Sequence, residues 1–379
     1  MIASNRRLRM GLVGGGPGSF IGPVHRIAAE LDREIELVAG AFSSDAGRSR
    51  DAGVQYRIDP SRAYASLDAM LEQEAARSDG IDFVAVATPN FHHLPAVRAA
   101  LAAGVPVICD KPATATLAQA QEMATLVRQA GLPFALTYTY SGYPLVREAR
   151  ARIAGGAIGK VRKILVEYPQ GWLAGEAAGK QAEWRVDPAR AGLGGCIADI
   201  GVHAFHLAEF VTGLRVVRLM ADLGTVVPGR VLDDDCQLLL RFDNGARGAL
   251  LASQISVGER NGLRLRVYGE TGGFDWKQES PNILIQHHID GRTERVQAGD
   301  PSLGPDAVWS SRTPGGHPEG YLEAFANIYR DFARQLRGEP GSLAPGIEDG
   351  LRGMRLIETA VQASAGNLGW VDFTGGEDN

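Results

Sequence analysis

The sequence predicts an α/β protein of two domains, the first built on a doubly wound parallel sheet and the second on an open mixed or antiparallel sheet. From residue 8 to about 140, short apolar runs alternate with helical patterns, as is typical of a parallel sheet. Glycines follow the first of these runs, and hairpin signals appear in the second part of the chain. We therefore divide the chain into an N-terminal domain, 1–140, and a C-terminal α/β domain, 141–379.

The N-terminal strands are predicted from apolar runs that turn residues bound on both sides. They are Leu8–Val13, Ile35–Phe42, Ile81–Ala87, Val105–Cys109 and Phe134–Tyr138. The helical patterns between them are Val24–Leu31, Leu94–Ala103 and Leu117–Ala130. This alternation indicates parallel strands joined by right-handed crossovers.

The C-terminal domain is predicted from helices that flank a series of strands. Asp243-Asn244-Gly245 is a tight-turn signal between two strand patterns. The predicted strands are Val161–Tyr168, Leu238–Phe242, Ala246–Ala252, Leu263–Tyr268, Ile283–Gln286 and Thr293–Val296. The predicted helices are Pro144–Ile153, Ala198–Val211, Tyr321–Leu336 and Ile347–Ala363. We expect Gly299–Pro318 to form a long loop, because it is rich in Gly, Pro and Ser, and such loops are often functional.

Composition and charge argue against several classes of protein. The net charge of −5 over 379 residues argues against a nucleic-acid binder, which carries a basic patch. No apolar run approaches the roughly 20 residues that cross a bilayer, and the first ten residues contain no apolar segment typical of a secretory signal. Cys109, Cys196 and Cys236 are too few and too scattered for a disulfide framework or a zinc site. We expect a cytoplasmic protein without nucleic-acid or membrane partners.

A glycine-rich turn follows the first strand and opens the first helix. Its members are Gly14, Gly16, Gly18 and Gly22. Glycines at such a turn let backbone amides approach a pyrophosphate at the positive end of the helix. Compared with the simple dinucleotide fingerprint, about three extra residues lie inside this turn. The pattern predicts a Rossmann domain that binds NAD or NADP.

Residues at the end of the second strand distinguish NAD-binding from NADP-binding domains. A carboxylate there binds the ribose of NAD, whereas small polar and basic residues suit the phosphate of NADP. Ser43, Ser44 and Arg48 favour NADP, and Asp45 leaves NAD open. A second interpretation is that Asp45 merely caps the following helix.

Lys111, Asp199 and His203 predict a site that can transfer a proton. Lys111 follows a predicted buried strand and precedes Pro112, and Asp199 and His203 lie four residues apart, on one face of a helix. Taken alone, a helical Asp–His pair is also typical of a capping or surface pair, and a lysine after a strand is commonly solvated. His206 three residues further on suggests metal ligation, but no second ligand cluster accompanies it, and we predict no metal site.

Three motifs extend these observations. They are Thr88-Pro89-Asn90-Phe91-His92-His93, Asp110-Lys111-Pro112, and the run from Gly194-Gly195 to Asp199-Ile200-Gly201-Val202-His203. With them the chain resembles, over nearly its whole length, the glucose–fructose oxidoreductase / inositol dehydrogenase / rhizopine catabolism (Gfo/Idh/MocA) family. It departs from that family's pattern at Asp110, where Glu is usual, and at Leu193, where Gly is frequent.

The resemblance implies reversible, NAD(P)-dependent oxidation of a secondary hydroxyl on a sugar, inositol or glycoside, with catalytic roles for Lys111, Asp199 and His203. A histidine suits a proton role near neutral pH, so we interpret His203 as the general base for oxidation. Asp199 orients the ring or binds hydroxyls, and Lys111 stabilises developing negative charge on oxygen. The C-terminal domain is then a substrate-binding and oligomerisation domain, and we expect a homodimer or homotetramer.

Further candidates come from position and composition. Thr88, Asn90, His93 and Lys111 follow strand ends, where dinucleotide sites lie; a turn residue and a helix-start residue are the alternatives for Asn90 and His93. The predicted substrate-binding residues, besides Lys111, Asp199 and His203, are Trp172, Trp184, Arg185 and His317. An aromatic face can cover a sugar ring and an arginine can donate to its hydroxyls. Core packing is the alternative for Trp184, and a cap at the surface is the alternative for His317.

Other functions stay open at this point. The family includes sugar- or cofactor-sensing proteins that do not turn over, and members that cleave glycosides through a tightly held cofactor. Retention of Lys111, Asp199 and His203 argues against a sensor. A dihydrodiol- or biliverdin-type reduction fits less well, because the Asp-x-Gly-x-His motif is typical of the polyol branch.

Overall fold

In a computed structural model, the structure describes residues 6–175, 188 and 192–373. The chain forms two compact units. The first comprises the described residues of Met1–Thr139 together with Leu322–Leu351, and the second those of Tyr140–Tyr321 and Arg352–Asn379. The predicted fold class is confirmed, because the first unit holds a parallel sheet and the second a mixed one.

The sheet of the first unit has five parallel strands in the order β2-β1-β3-β4-β5. The strands are β1 (Leu8–Gly14), β2 (Ile35–Ala41), β3 (Phe83–Ala87), β4 (Val107–Cys109) and β5 (Phe134–Leu136). Every residue of β3 is buried. A central parallel strand is covered on both faces, and this explains why its sequence is a continuous apolar run instead of an alternating one.

Five α-helices accompany this sheet. They are α1 (Ile21–Glu30), α2 (Ala46–Tyr56), α3 (Leu67–Ala75), α4 (His93–Ala102) and α5 (Leu117–Ala130), with short 3₁₀ turns at Pro60–Arg62 and Asn90–His92. The sequence analysis gave no bounds for α2, which it mentioned only as the helix that Asp45 caps, and did not predict α3. Both begin at a side-chain cap, since Asp45 accepts from the Arg48 N–H and Ser66 from the Ala69 N–H. Such caps are sequence-level signals that could have located these polar helices.

The sheet of the second unit has nine strands in the order β13-β12-β11-β10-β6-β9-β8-β7-β14, with β6 and β9 parallel and the other neighbours antiparallel. The strands are β6 (Lys163–Pro169), β7 (Val216–Gly224), β8 (Asp235–Phe242), β9 (Arg247–Ser253), β10 (Arg264–Tyr268), β11 (Gly272–Lys277), β12 (Ile283–His288), β13 (Thr293–Gln297) and β14 (Val371–Asp372). Along β8, buried Cys236, Leu238 and Leu240 alternate with exposed Gln237 and Leu239. One face of the sheet therefore belongs to the core, while the other is open in the described chain.

Helices α6 (Pro144–Ala154) and α7 (Val202–Thr212) cover the core face. The remaining helical segments are a 3₁₀ turn at Thr139–Gly142, a π-helical turn at Ile197–Gly201, α8 (Pro305–Ser310), α9 (Tyr321–Arg337) and α10 (Ile347–Ala365), of which α9 and the start of α10 belong to the first unit. The expectation of a loop throughout Gly299–Pro318 is wrong, because α8 lies within it. Pro305 occupies the first helical position, where a missing N–H costs nothing, and Ala307 is buried.

Residues 322–351 belong to the first unit, although the sequence analysis assigns them to the C-terminal domain. The Phe332 ring packs edge-on against Phe83, with centroids 5.3 Å apart. The Tyr329 hydroxyl lies 2.7 Å from His25 Nδ1 within the core. Contacts so distant in sequence leave no local signal.

No helix of residues 6–175, 188 and 192–373 is both long and apolar enough to span a membrane.

The end of α7 is anchored by Glu209, whose side chain is buried (5% exposed). Its carboxylate accepts two hydrogen bonds from Arg352, at 2.7 and 2.6 Å, and one from the Val216 N–H at 2.8 Å. A carboxylate at this depth is stabilised only because it is paired.

We expect Glu209→Ala to lower the free energy of unfolding by about 3 kcal/mol, since it leaves the Arg352 guanidinium without its buried partner. Urea unfolding followed by circular dichroism measures the loss. The matched control is Asp290→Ala, which breaks an exposed ion pair with Arg292 and should leave the midpoint unchanged. Equal midpoints for both variants would show that Glu209 does not anchor α7.

Candidate functional site

The glycine-rich turn of the first unit follows β1 and ends at α1. Gly14, Gly15 and Gly18 have φ values of 85°, 74° and 78°, which side chains rarely adopt. A Cβ atom on Gly14 would lie 2.5 Å from the carbonyl oxygen of Ala87, and one on Gly22 would lie 2.3 Å from Gly15 Cα. Only glycine fits these positions, so the backbone approaches β3 and folds back on itself here.

Gly16 brings the turn against the end of β2. A Cβ atom on Gly16 would lie 2.5 Å from the Phe42 carbonyl oxygen. The extra residues inside the turn are closed by Ser19, whose N–H donates to the Gly16 carbonyl at 3.0 Å and whose Oγ accepts from the Gly22 N–H at 3.2 Å. Tyr56 donates from its hydroxyl to the Gly15 carbonyl at 2.7 Å. The departure from the simple fingerprint is thus a compact, hydrogen-bonded turn, and the cradle fits a dinucleotide pyrophosphate.

Thr88 and Asn90 follow β3 at its carboxyl end. The Thr88 Oγ1 atom is buried and has no hydrogen-bond partner among the described residues. Asn90 is buried in the 3₁₀ turn that leads into α4. A buried hydroxyl without a partner costs free energy, so a ligand group that bonds to Thr88 would relieve that cost.

His93 lies at the start of α4 and is fully buried. Its Nε2 lies 2.9 Å from the Thr88 carbonyl oxygen and its Nδ1 lies 2.9 Å from the Pro112 carbonyl oxygen. Burial lowers the pKa of this imidazole. The ring therefore ties the turn after β3 to the turn after β4, and its predicted contact with the cofactor stays a prediction.

Lys111 occupies the turn after β4, and this turn is fixed on both sides. Asp110 Oδ1 accepts from the Lys111 N–H at 2.9 Å and from the Thr137 hydroxyl at 2.6 Å. Pro112 is held by His93, as described above. The lysine backbone is thus fixed by a carboxylate and an imidazole, so that its side chain starts from a defined position.

The end of β2 shows the capping role for Asp45. Its Oδ1 accepts from the Arg48 N–H at 2.7 Å, and its own N–H donates to Ser43 Oγ at 3.2 Å. Ser44 and the Arg48 side chain are exposed. The helix-capping interpretation of Asp45 is therefore confirmed.

In the second unit, Asp199 lies in the π-helical turn and His203 lies near the start of α7. Asp199 Oδ2 accepts from Gln254 Nε2 at 3.0 Å. The His203 ring is 8% exposed and meets the Tyr140 ring edge-on, with centroids 4.8 Å apart. Short π-helical turns are rare and frequently occur at functional sites. The structure thus gives the carboxylate a fixed orientation and the imidazole an aromatic wall.

Sequence reasoning missed Tyr168 and Asn261, which complete this wall. The hydroxyls of Tyr140 and Tyr168 are hydrogen-bonded to each other, and Tyr168 donates to Asn261 Oδ1 at 2.7 Å. Burial raises the pKa of both tyrosines, so both stay neutral donors. Tyr168 is part of β6 and Asn261 precedes β10. No local sequence pattern predicts that these two side chains form a hydrogen bond.

Trp172 extends the same network toward solvent. Its indole is 45% exposed, and its Nε1 donates to Gln170 Oε1 at 2.8 Å, while Gln170 Nε2 donates to Asn261 Oδ1 at 2.9 Å. His317 is exposed, with its Nδ1 3.3 Å from the Pro314 carbonyl oxygen. The predicted residues Trp184 and Arg185 lie outside the described residues.

Within the described ranges, no group of three or more His, Cys, Asp and Glu side chains is placed to hold a metal ion.

The geometry and the comparisons with known proteins define an oxidoreductase with an NAD-binding Rossmann domain. Residues 8–138 match the model of the oxidoreductase family, NAD-binding Rossmann fold, and residues 146–275 match that of the GFO/IDH/MocA C-terminal domain. The chain therefore belongs to the Gfo/Idh/MocA family.

Individual relatives match along almost their whole length. Uncharacterized oxidoreductase YfiI of Bacillus subtilis is 34% identical, over 97% of this chain and 98% of its own. Levoglucosan dehydrogenase of Pseudarthrobacter phenanthrenivorans is 26% identical, over 97% and 98%. The inositol dehydrogenase homologue of Azotobacter vinelandii, solved with NAD+, superposes with a TM-score of 0.93 at 36% identity, covering 98% of this chain and 100% of that chain. The family resemblance and the expected NAD-binding Rossmann domain are thus confirmed; the preference for NADP that Ser43, Ser44 and Arg48 suggested and the roles of individual site residues stay predictions.

We expect Gly16→Ala to weaken NAD binding by at least about tenfold, because the new methyl group would collide with the Phe42 carbonyl and displace the turn. Titration of NADH fluorescence measures the dissociation constant. Gly346→Ala is the matched control, since a Cβ atom there meets no atom within 4 Å. Wild-type affinity in Gly16→Ala would place the pyrophosphate elsewhere.

Proposed function

We propose that this protein is an NAD-dependent dehydrogenase that reversibly oxidises a secondary hydroxyl of a sugar, inositol or glycoside. The observation that carries the proposal is the placement of Asp199 and His203 on one helical segment, with the Asp199 carboxylate held by Gln254 and the His203 ring held against Tyr140. The relatives support the substrate class: they are a levoglucosan dehydrogenase, a D-apiose dehydrogenase and an inositol dehydrogenase homologue solved with NADH and myo-inositol.

In the oxidation direction, His203 takes the proton from the reacting hydroxyl, and it returns a proton in the reduction direction. Histidine suits both steps because its ordinary pKa lies near neutral pH. Asp199 orients substrate hydroxyls or the imidazole, and Lys111 donates to the reacting oxygen as negative charge develops on it. When bound, NAD supplies the acceptor for the hydride that leaves the same carbon.

Trp172 and the tyrosine network supply groups suited to a polyol. The exposed indole offers an apolar face to the C–H side of a sugar ring. Its N–H is already used by Gln170, and this fixes the ring orientation. We propose that Trp172 binds the substrate, as the sequence analysis predicted.

We expect His203→Ala to lower kcat by about 100- to 10,000-fold while NAD affinity stays near the wild-type value, because the base is lost and the nucleotide turn is intact. The assay follows absorbance of reduced nicotinamide, with NAD and NADP offered separately against inositols, aldoses, anhydro-sugars and glycosides. His206→Gln, on the same helix, should keep the wild-type kcat.

Two outcomes would contradict this assignment. Retained turnover with lost NAD binding in His203→Ala would remove His203 from the proton role. A wild-type protein that binds NAD but reduces it with no substrate of the panel would favour the sensor or the closed-cycle glycoside cleavage.

We also propose a homodimer or homotetramer in the cytoplasm. The open face of the nine-stranded sheet exposes Met220, Leu239 and Leu251, and exposed apolar patches on sheets commonly mark interaction surfaces. The three cysteines are buried free thiols, which suits a reducing compartment.

We expect light scattering coupled to gel filtration to give a dimer or tetramer for the wild type, and a smaller species for Leu239→Lys, since a charge would enter the apolar patch. Val54→Lys changes an apolar residue of the first unit that is more exposed, 70% against 49% for Leu239, and should leave the mass unchanged. A monomeric wild type would exclude this assembly.

A further inference from the structure

The turn that precedes Asp199 is held by a single residue from a distant part of the chain, Asp233. Asp233 Oδ1 accepts from the Gly195 N–H at 2.6 Å and its Oδ2 accepts from the Ile197 N–H at 2.7 Å. Its own carbonyl oxygen accepts from the Cys196 N–H at 2.8 Å. Three consecutive backbone N–H groups at the start of the helical segment are thus satisfied by one residue.

The approach of the two chain segments is close. A Cβ atom on Gly195 would lie 2.3 Å from the Asp233 carbonyl oxygen, so only glycine permits this contact. Asp233 is 9% exposed, and burial raises its pKa to about 6 against the opposing effect of its N–H donors. At neutral pH the carboxylate is therefore ionised, and both of its N–H bonds are charge-assisted.

The position of this turn affects the positions of Asp199 and His203 through the backbone. The Asp199 N–H donates to the Gly195 carbonyl at 2.9 Å, so that a shift of Gly195 moves Asp199. His203 follows four residues later, after the π-helical turn. The contacts at the start of this segment therefore lie one helical hydrogen bond away from Asp199.

A second contact fixes the side chain of Asp199. The Gln254 N–H donates to the Asp234 carbonyl at 2.9 Å, and its Nε2 donates to Asp199 Oδ2 at 3.0 Å. The residue next to Asp233 thus positions the donor of the Asp199 carboxylate. The Asp234 carboxylate itself is used elsewhere, accepting from the N–H groups of Val226 and Val227.

We propose that Asp233 is a positioning residue of the active site: its carboxylate fixes the turn from Gly195 to Ile197 and thereby sets where Asp199 and His203 stand. This inference rests on the proposed function for its effect on turnover, while the positioning itself is a property of the protein alone.

The test compares Asp233→Asn, Asp233→Ala and Asp82→Asn. Asparagine keeps the volume and one acceptor oxygen, whereas alanine leaves the Gly195 and Ile197 N–H groups without their partner. We expect kcat to fall by about tenfold in Asp233→Asn and by about 100-fold in Asp233→Ala, since small displacements of reacting groups have effects of this size. The dissociation constant for NAD should stay unchanged, and KM should change less than kcat.

Asp82→Asn is the matched control, because it alters a carboxylate that is 8% exposed and also accepts a backbone N–H, that of Arg9 at 2.7 Å, but belongs to the first unit and does not touch the turn. We expect it to lower the urea midpoint without lowering kcat. If Asp233→Asn and Asp233→Ala lose stability to the same extent as Asp82→Asn but keep wild-type kcat, the role of Asp233 is structural only and the proposal is overturned.

A readout without turnover separates this proposal from the proposed function. The ring proton of His203, assigned in the nuclear magnetic resonance spectrum by its loss in His203→Gln, is titrated in the wild type and in Asp233→Asn, which is the variant that best keeps the fold. We expect its chemical shift and titration midpoint to change, with those of the exposed His287 unchanged. An unaltered His203 titration overturns the positioning role, whereas a wild type inactive on every polyol overturns only the proposed dehydrogenase.

Discussion

The need to satisfy buried backbone polar groups at the ends of helices and strands organises the functional regions of both units. A parallel sheet and a helix-covered sheet bring several chain ends into the interior, where water cannot bond to them. In the first unit the imidazole of His93 lies between the carbonyls of Thr88 and Pro112 and, with one ring N–H when neutral, donates to one of them. In the second, three successive N–H groups meet Asp233. The groups expected to perform chemistry stand beside these buried contacts.

Close backbone approach is the second constraint, and it explains where glycine is required. Gly14 and Gly16 place the glycine-rich turn against the ends of β3 and β2. Gly195 places the turn that precedes Asp199 against Asp233. In each case a methyl group would lie 2.3 to 2.5 Å from a carbonyl oxygen, which is closer than such atoms can approach. Glycines at such points fix geometry instead of providing flexibility.

The sequence predicts most of the first sheet, because its strands are buried on both faces and appear as uninterrupted apolar runs. The helices α2 and α3 escape detection since they are mainly polar, and only their caps distinguish them. The placement of residues 322–351 could not be predicted, because it depends on contacts such as Phe332 with Phe83, about 250 residues apart in the chain. Periodicity describes which face of an element is buried, but not against which partner.

The same distinction applies to the candidate site. Lys111, Asp199 and His203 are found from motifs, since their chemistry depends on residue type at fixed spacing. Asp233, Tyr168 and Asn261 are not, since each acts through a contact formed by folding.

The two parts of the candidate site are held in place in different ways. The Asp199–His203 segment is fixed by backbone contacts to Asp233, whereas Trp172, Gln170 and Asn261 lie in segments outside the strands and contact each other through side chains. Side-chain contacts in connecting segments are altered by substitution without displacing a helix. With the proposed roles of these residues, we expect substrate preference to change at Trp172 and its neighbours while the proton chemistry proposed for Asp199 and His203 is retained.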